Sequence, residues 1–115
     1  MKVSMFRVEK PDGSGPYVEN EDDPTLAHMF AVHGDADHPD PFDDPLLDGI
    51  YPDEVSGFPT LCTLEDWFAG YDDPLASLGY RIAVYSVELQ SVRYGYKQAV
   101  FLRGDKTPVR TMSMR

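Results

Sequence analysis

The stretch Gly79–Leu102, GYRIAVYSVELQSVRYGYKQAVFL, decides the fold. It holds the two most strand-like runs in the chain. The first, Tyr80 to Leu89, is dense in β-branched and aromatic residues, which suit a pleated surface. Alternation puts Ile82 and Val84 on one face and Ala83, Tyr85, Val87 and Leu89 on the other. Both faces are apolar, which predicts a central strand covered on both sides. The second run, Tyr96 to Leu102, ends at the turn-like triplet Arg103-Gly104-Asp105. The link Ser91 to Gly95 is short enough to predict that the two runs pair with each other as antiparallel neighbours. Gly79, Gly95 and the density of Val, Tyr and Ile argue against a continuous helix.

Working outward, Lys2 to Glu9 reads as another strand, with Val3, Met5 and Arg7 on one face and Phe6 and Val8 on the other. It runs into Pro11-Asp12-Gly13-Ser14-Gly15-Pro16, where Gly supplies positive φ and Pro a fixed φ for turns. Backbone N–H groups there could form an anion nest, though a plain turn accounts for the composition. Tyr17 and Val18 are expected to return the chain toward the core. The tripeptide Asp-Asp-Pro then occurs three times, at Asp22–Pro24, Asp43–Pro45 and Asp72–Pro74. Asp answers the unpaired N–H groups of a helix start, and Pro loses nothing at the first helical position. This predicts helices or helical turns over Pro24–Val32, Pro45–Asp48 and Pro74–Leu78. Thr63 reads as the cap of a further helix that Gly70 stops, with Leu64, Trp67 and Phe68 as its apolar stripe. Asp35 to Pro59 is a long acidic, Pro-rich loop whose scattered aromatics should pack onto the body. After Leu102 the tail has no strong pattern, and residues 107–115 are expected to fray. The fold expected is therefore α+β: one domain, 1–115, with a small, mostly antiparallel central sheet and short helices.

The chain has 115 residues, 42% of them hydrophobic and 12% aromatic, enough for a core and too many for a disordered chain. No run of 18 apolar residues would span a membrane, and the N-terminus lacks the apolar region of a secretory signal. The single cysteine, Cys62, is expected to be a small buried side chain and fits a reducing compartment such as the cytoplasm. The net charge is −10. From Pro11 to Tyr80 there are 17 Asp and Glu and no Lys or Arg, whereas Arg81 to Arg115 carries seven basic residues against two acids. An acidic body of this kind repels nucleic acid and anionic membranes and attracts basic protein surfaces.

No nucleophile, phosphate-loop or metal-protease motif is present, so no catalytic residue and no cofactor is expected. Cys62 has no basic neighbour before Arg81 to activate it. His28, His33 and His38 are spaced five apart, which does not align ligands on one helix face, so they read as surface histidines, and a metal site would need the chain to fold back on itself.

The order of elements resembles the small mono-ADP-ribosyltransferases: a first strand with Arg7, the segment Thr60-Leu61-Cys62-Thr63 leading into Trp67-Phe68, then Arg81–Val87 and Lys97–Leu102. In that family an Arg on the first strand grips a dinucleotide, a hydroxyl segment orders the nicotinamide site, and a late Glu stabilises the developing cation. The resemblance implies these roles for Arg7, for Thr60 or Thr63, and for the position of Gln98, which lacks the charge that catalysis needs. It implies a nucleotide-like ligand among Arg7, Thr63, Tyr85 and Gln98, with little or no turnover. The chain also resembles small acidic proteins encoded by phages and prophages, through Phe6-Arg7-Val8-Glu9, Gly13–Tyr17, Thr63–Phe68, Gly79–Val87 and Gln98–Phe101. That resemblance implies an accessory protein that binds a host or defence component. A structural subunit of a virion is a third possibility, but no heptad or symmetric patch speaks for it.

Overall fold

The computed structural model describes residues 1–17 and 23–114. Val18, Asp22 and Arg115, which the sequence reading placed in the returning segment, the first Asp-Asp-Pro and the tail, lie outside them. The described residues form an α+β fold of two three-stranded antiparallel sheets and three short helices.

The first sheet has the order β1-β3-β6, with β1 at Lys2–Glu9, β3 at Arg81–Glu88 and β6 at Thr107–Met112. β3 is the central strand, as its two apolar faces require. Its Ala83, Tyr85 and Val87 join Met5 of β1 on one side. Its Ile82 joins Val8 on the other. Residues 107–112, patternless as a sequence, pair with β3 from Ile82↔Met112 to Ser86↔Thr107, with a bulge opposite Val84 and Tyr85. β6 is exposed over most of its length, so no alternation of apolar residues marks it. Its pairing is dictated by the free edge of β3.

The second sheet has the order β2-β5-β4, with β2 at Glu54–Gly57, β4 at Val92–Tyr94 and β5 at Ala99–Leu102. Here the structure corrects the sequence reading. The runs at 80–89 and 96–102 do not pair with each other, and there are two sheets in place of one central sheet. The partner of β5 is β4, three residues that had been read as a connection: Val92↔Phe101, Arg93↔Val100 and Tyr94↔Ala99. A single 3₁₀ turn at Leu89–Ser91 carries the chain out of the first sheet before β4 begins. Three residues are too few for periodicity to reveal a strand.

The two sheets share a core of Met5, Ala83, Tyr85 and Val87 from one and Val55, Ala99 and Phe101 from the other. The opposite face of the first sheet is covered by α1 (Pro24–Val32), α2 (Leu61–Trp67) and α3 (Asp72–Ser77), through Leu26, Met29, Leu64, Trp67 and Leu75. Each of these side chains gains roughly 1.5–3 kcal/mol from leaving water. The layers meet at the edge of β1, where Phe6 exchanges both backbone hydrogen bonds with Phe58 (2.9 and 2.7 Å).

The Asp-Asp-Pro elements divide into two kinds. Asp23 caps α1 by accepting from the N–H groups of Thr25 (2.9 Å) and Leu26 (3.1 Å), with Pro24 at the first position. Asp44 caps a single helical turn in the same way, accepting from the Leu46 N–H at 2.9 Å. Asp72 and Asp73 instead lie inside the first turn of α3, which starts two residues earlier than Pro74. There they act on the helix dipole and not as caps. The cap of α2 is Thr60, whose Oγ1 accepts from the Thr63 N–H at 3.1 Å, so Thr63 is within the helix. Cys62 is exposed on that helix and not buried. With the helix starting at Leu61, the buried stripe falls on Leu64, Trp67 and Phe68, and Cys62 faces away from it.

Residues 33–53 contain no helix or strand. They are held down by polar contacts with the β4–β5 hairpin. Asp44, 1% exposed, accepts through Oδ2 from the Tyr96 N–H (2.8 Å) and from the Gln98 amide (3.2 Å). That amide also donates to the Pro39 carbonyl at 2.6 Å. Arg93 binds Glu54 through two nitrogens (3.0 and 2.6 Å) and donates to the carbonyls of Leu47 and Gly49. These bonds hold the Glu54 carboxyl below its ordinary pKa.

Gln98→Glu tests this anchor. The substitution removes an amide donor and sets a second carboxylate beside Asp44 and the Pro39 carbonyl. It should destabilise the fold by about 3 kcal/mol in urea denaturation. An unchanged midpoint would show that the amide is not what holds the loop.

Candidate functional site

β1 delivers Arg7 to the sheet edge, where the turn after the strand and the end of β2 both approach it. The guanidinium donates to Glu9 (3.0 Å), to the Ser56 carbonyl (2.7 Å) and to the Gly13 carbonyl (3.2 Å). Three of its five N–H groups are thereby taken. The other oxygen of Glu9 accepts the Tyr85 hydroxyl. Burial and the neighbouring Glu9 push that hydroxyl up to about 12. The turn does not form an anion nest, because the Ser14 N–H is taken by Asp12, at 2.9 Å.

Arg7 and Gln98 line one cleft of about 200 Å³ at the β1 edge, walled by Val8, Tyr17, Phe58, Trp67 and Phe68. Thr63 and Tyr85 do not line it. Thr63 is in the first turn of α2, bonded to Thr60 (2.7 Å). Tyr85 opens toward a separate hollow with Arg81 and the β6 bulge. Among the described residues, Nε of Arg81 is the one buried side-chain nitrogen or oxygen without a hydrogen-bond partner. Of the four residues expected around a ligand, the fold brings together two.

Beside the cleft lies a group that sequence spacing did not reveal. His33 and His38, half-buried, stack with ring centroids 4.2 Å apart and planes within 10°. α1 ends at Val32, and a turn then carries His38 back over His33. Trp67 Nε1–H donates to the Tyr17 hydroxyl oxygen at 2.5 Å, and that hydroxyl lies 2.7 Å from His33 Nδ1. An indole can only donate, which leaves the phenol hydrogen free to be given to an unprotonated His33 Nδ1. His38 Nδ1 in turn binds Asp35 at 3.0 Å. Burial, and then the neighbouring His38, push His33 down from 6.5 to about 4. Burial also raises the Tyr17 hydroxyl, although the residue as a whole is 41% exposed. His28 stands apart, exposed on α1. Among the described residues no group of three His, Cys, Asp or Glu could hold a metal ion.

The remaining candidate is the surface. Asp35, Asp37, Asp40, Asp43, Asp48 and Asp53 are all exposed along the anchored loop, as are Glu65, Asp66 and Asp72 on and after α2. No helix among the described residues is long and apolar enough to cross a membrane.

Fold and surface together define a small acidic α+β protein. The family model described as "Bacteriophage T4 Y00F protein" matches residues 1–115, and the chain belongs to that family. No curated protein and no solved structure matches it. The phage resemblance read from the sequence agrees with the family. The likeness to mono-ADP-ribosyltransferases finds no support in these comparisons.

The His33 relay predicts an acid response. A histidine held neutral in the fold binds its proton first in the unfolded chain. Stability is therefore fully present above pH 6.5 and is lost as pH falls toward 4. The carboxyls held low, Asp12, Asp35 and Glu54, add their loss only below their ordinary values of 3.8 to 4.5. The urea midpoint should drop between pH 6.5 and about 5, and His33→Gln should flatten that drop. An unaltered slope would place the titrating group elsewhere.

Proposed function

We propose that this phage protein is a non-enzymatic accessory factor that binds a basic surface of a host or defence protein in the host cytoplasm. One observation carries the reading. Seventeen acids and no Lys or Arg occupy residues 11–80, and most of the described ones are exposed. The fold accounts for the buried acids: Glu9, Asp44 and Glu54 each have hydrogen-bonded partners inside it. Of the exposed carboxylates, Asp12, Asp35 and Asp40 close local turns, which does not account for so long a run of one sign. A field of one sign accelerates encounter with an oppositely charged partner and disfavours nucleic acid and anionic lipid.

The alternative of a nucleotide-like ligand has less behind it. The Arg7 guanidinium and the Gln98 amide at the cleft are largely spent on internal acceptors. At about 200 Å³ the cleft is also smaller than the roughly 300–1,000 Å³ typical of ligand pockets. It would admit a single ring, not a dinucleotide.

Immobilised full-length chain exposed to host lysate at graded salt tests the proposal. Basic host proteins should be retained at about 0.1 M salt and released by about 0.5 M. Retention of no partner, or of one whose binding ignores salt, would overturn it.

A further inference from the structure

The acidic surface is not uniform. At the end of the molecule where the loop meets the β4–β5 turn, Phe42, Leu46 and Tyr51 are 63–69% exposed and Tyr94 and Tyr96 about half exposed. The segments that carry Phe42, Leu46, Tyr51 and Tyr96 adjoin one another, whereas Tyr94 shares the Val92 face of β4, opposite Arg93. Phe42 packs on Gly49, where an added Cβ would stand 3.4 Å from its ring. Gly49 and Leu47 offer their carbonyls to Arg93, whose guanidinium lies 4.7 Å from the Tyr51 ring centre. Gly95, between Tyr94 and Tyr96, approaches Leu47 so closely that an added Cβ would stand 2.8 Å away. The Tyr96 N–H is fixed by Asp44. Exposed Asp40, Asp43, Asp48 and Asp53 are interleaved with these rings along the loop, and Lys97 stands 5.2 Å from the Tyr96 ring centre.

Grouped, exposed apolar side chains on a protein of this size mark a contact surface. Aromatic anchors with a polar rim are the usual anatomy of such a surface. The carboxylates around the rings choose the occupant by charge. A guanidinium satisfies both components at once: it lies flat on an aromatic face while its edge binds a carboxylate through two N–H groups. Arg93 already does this within the chain, with Tyr51 on its face and Glu54 at its edge. We infer that the end formed by residues 40–53 and 94–97 is the docking surface for an arginine-rich protein segment. The inference rests on the proposed function and adds to it a place and a side-chain preference. Because Asp44, Arg93 and Gln98 fix the loop from beneath, the surface needs little ordering when the segment arrives.

The test uses the full chain, isotope-labelled for amide spectra, titrated at about 0.15 M salt with a nona-arginine and a nona-lysine peptide. The arginine peptide should bind about five-fold more tightly. Its amide shifts should concentrate at 40–53 and 94–97. The double substitution Phe42→Ala and Tyr96→Ala should weaken it about ten-fold with the spectrum otherwise intact, and Asp66→Asn with Asp72→Asn should change it less than two-fold. Equal binding of the two peptides, with shifts spread to the helix carboxylates, would overturn the docking surface and leave the acidic-body reading standing. Binding of neither peptide would overturn both.

Discussion

The buried carboxylate of Asp44 joins the acidic half of the chain to its sheets. An ionised carboxylate removed from water costs several kcal/mol unless hydrogen bonds replace its hydration. Asp44 receives three N–H donors, from Leu46, Tyr96 and Gln98. Two of these belong to the β4–β5 turn, so the loop cannot lift without stranding the charge. Glu54 and Arg93 form a second clasp at the base of the same loop, with Arg93 also holding two loop carbonyls. Gly95 is required between them, since a side chain there would collide with Leu47. A segment with neither helix nor strand thus acquires a fixed shape from polar contacts, with little help from an apolar core of its own.

This arrangement sorts the carboxylates. Those at positions the fold must bury receive donors from distant segments, and most of the rest face outward, where Asp35 and Asp40 close only local turns of the loop. The outward ones share their surface with rings that the fold leaves uncovered. Charge and exposed aromatic area in one place are what the proposed association would use. The Arg7 cleft has less to offer a ligand. Its strongest donors are already committed, and burial, with His38 beside it, keeps the His33 imidazole neutral.

Legibility from sequence followed the length of each signal. β1 and β3 were readable because eight residues of alternation suffice to assign two faces. α1 was readable because Asp23 and Pro24 mark its start. Trp67 was recognisable as core from its spacing with Leu64 and Phe68. β4 was not readable at three residues, and β6 was not because its side chains face solvent. That is also why the runs at 80–89 and 96–102 were matched to each other, when each has nearer claimants in the fold. The His33–His38 stack escaped because its cause is a turn after α1 and not a helical face. Gln98 was singled out by position in a family pattern, yet its amide serves the loop. Nothing local distinguishes Asp44 from the carboxylates around it, because two of its three donors lie about fifty residues away.

Amide hydrogen exchange across residues 40–53 and at Tyr96 tests the central claim most directly. If Asp44, Gln98 and Arg93 fix the loop, the N–H groups of Asp44 (to the Asp40 carbonyl, 2.9 Å), Gly49 (to Pro41, 2.7 Å) and Tyr96 should be protected. Their opening free energies should lie near that of global unfolding. Exchange of all three at the rate of an unstructured chain, with the β3 amides still protected, would contradict the account and return the acidic loop to a mobile tether.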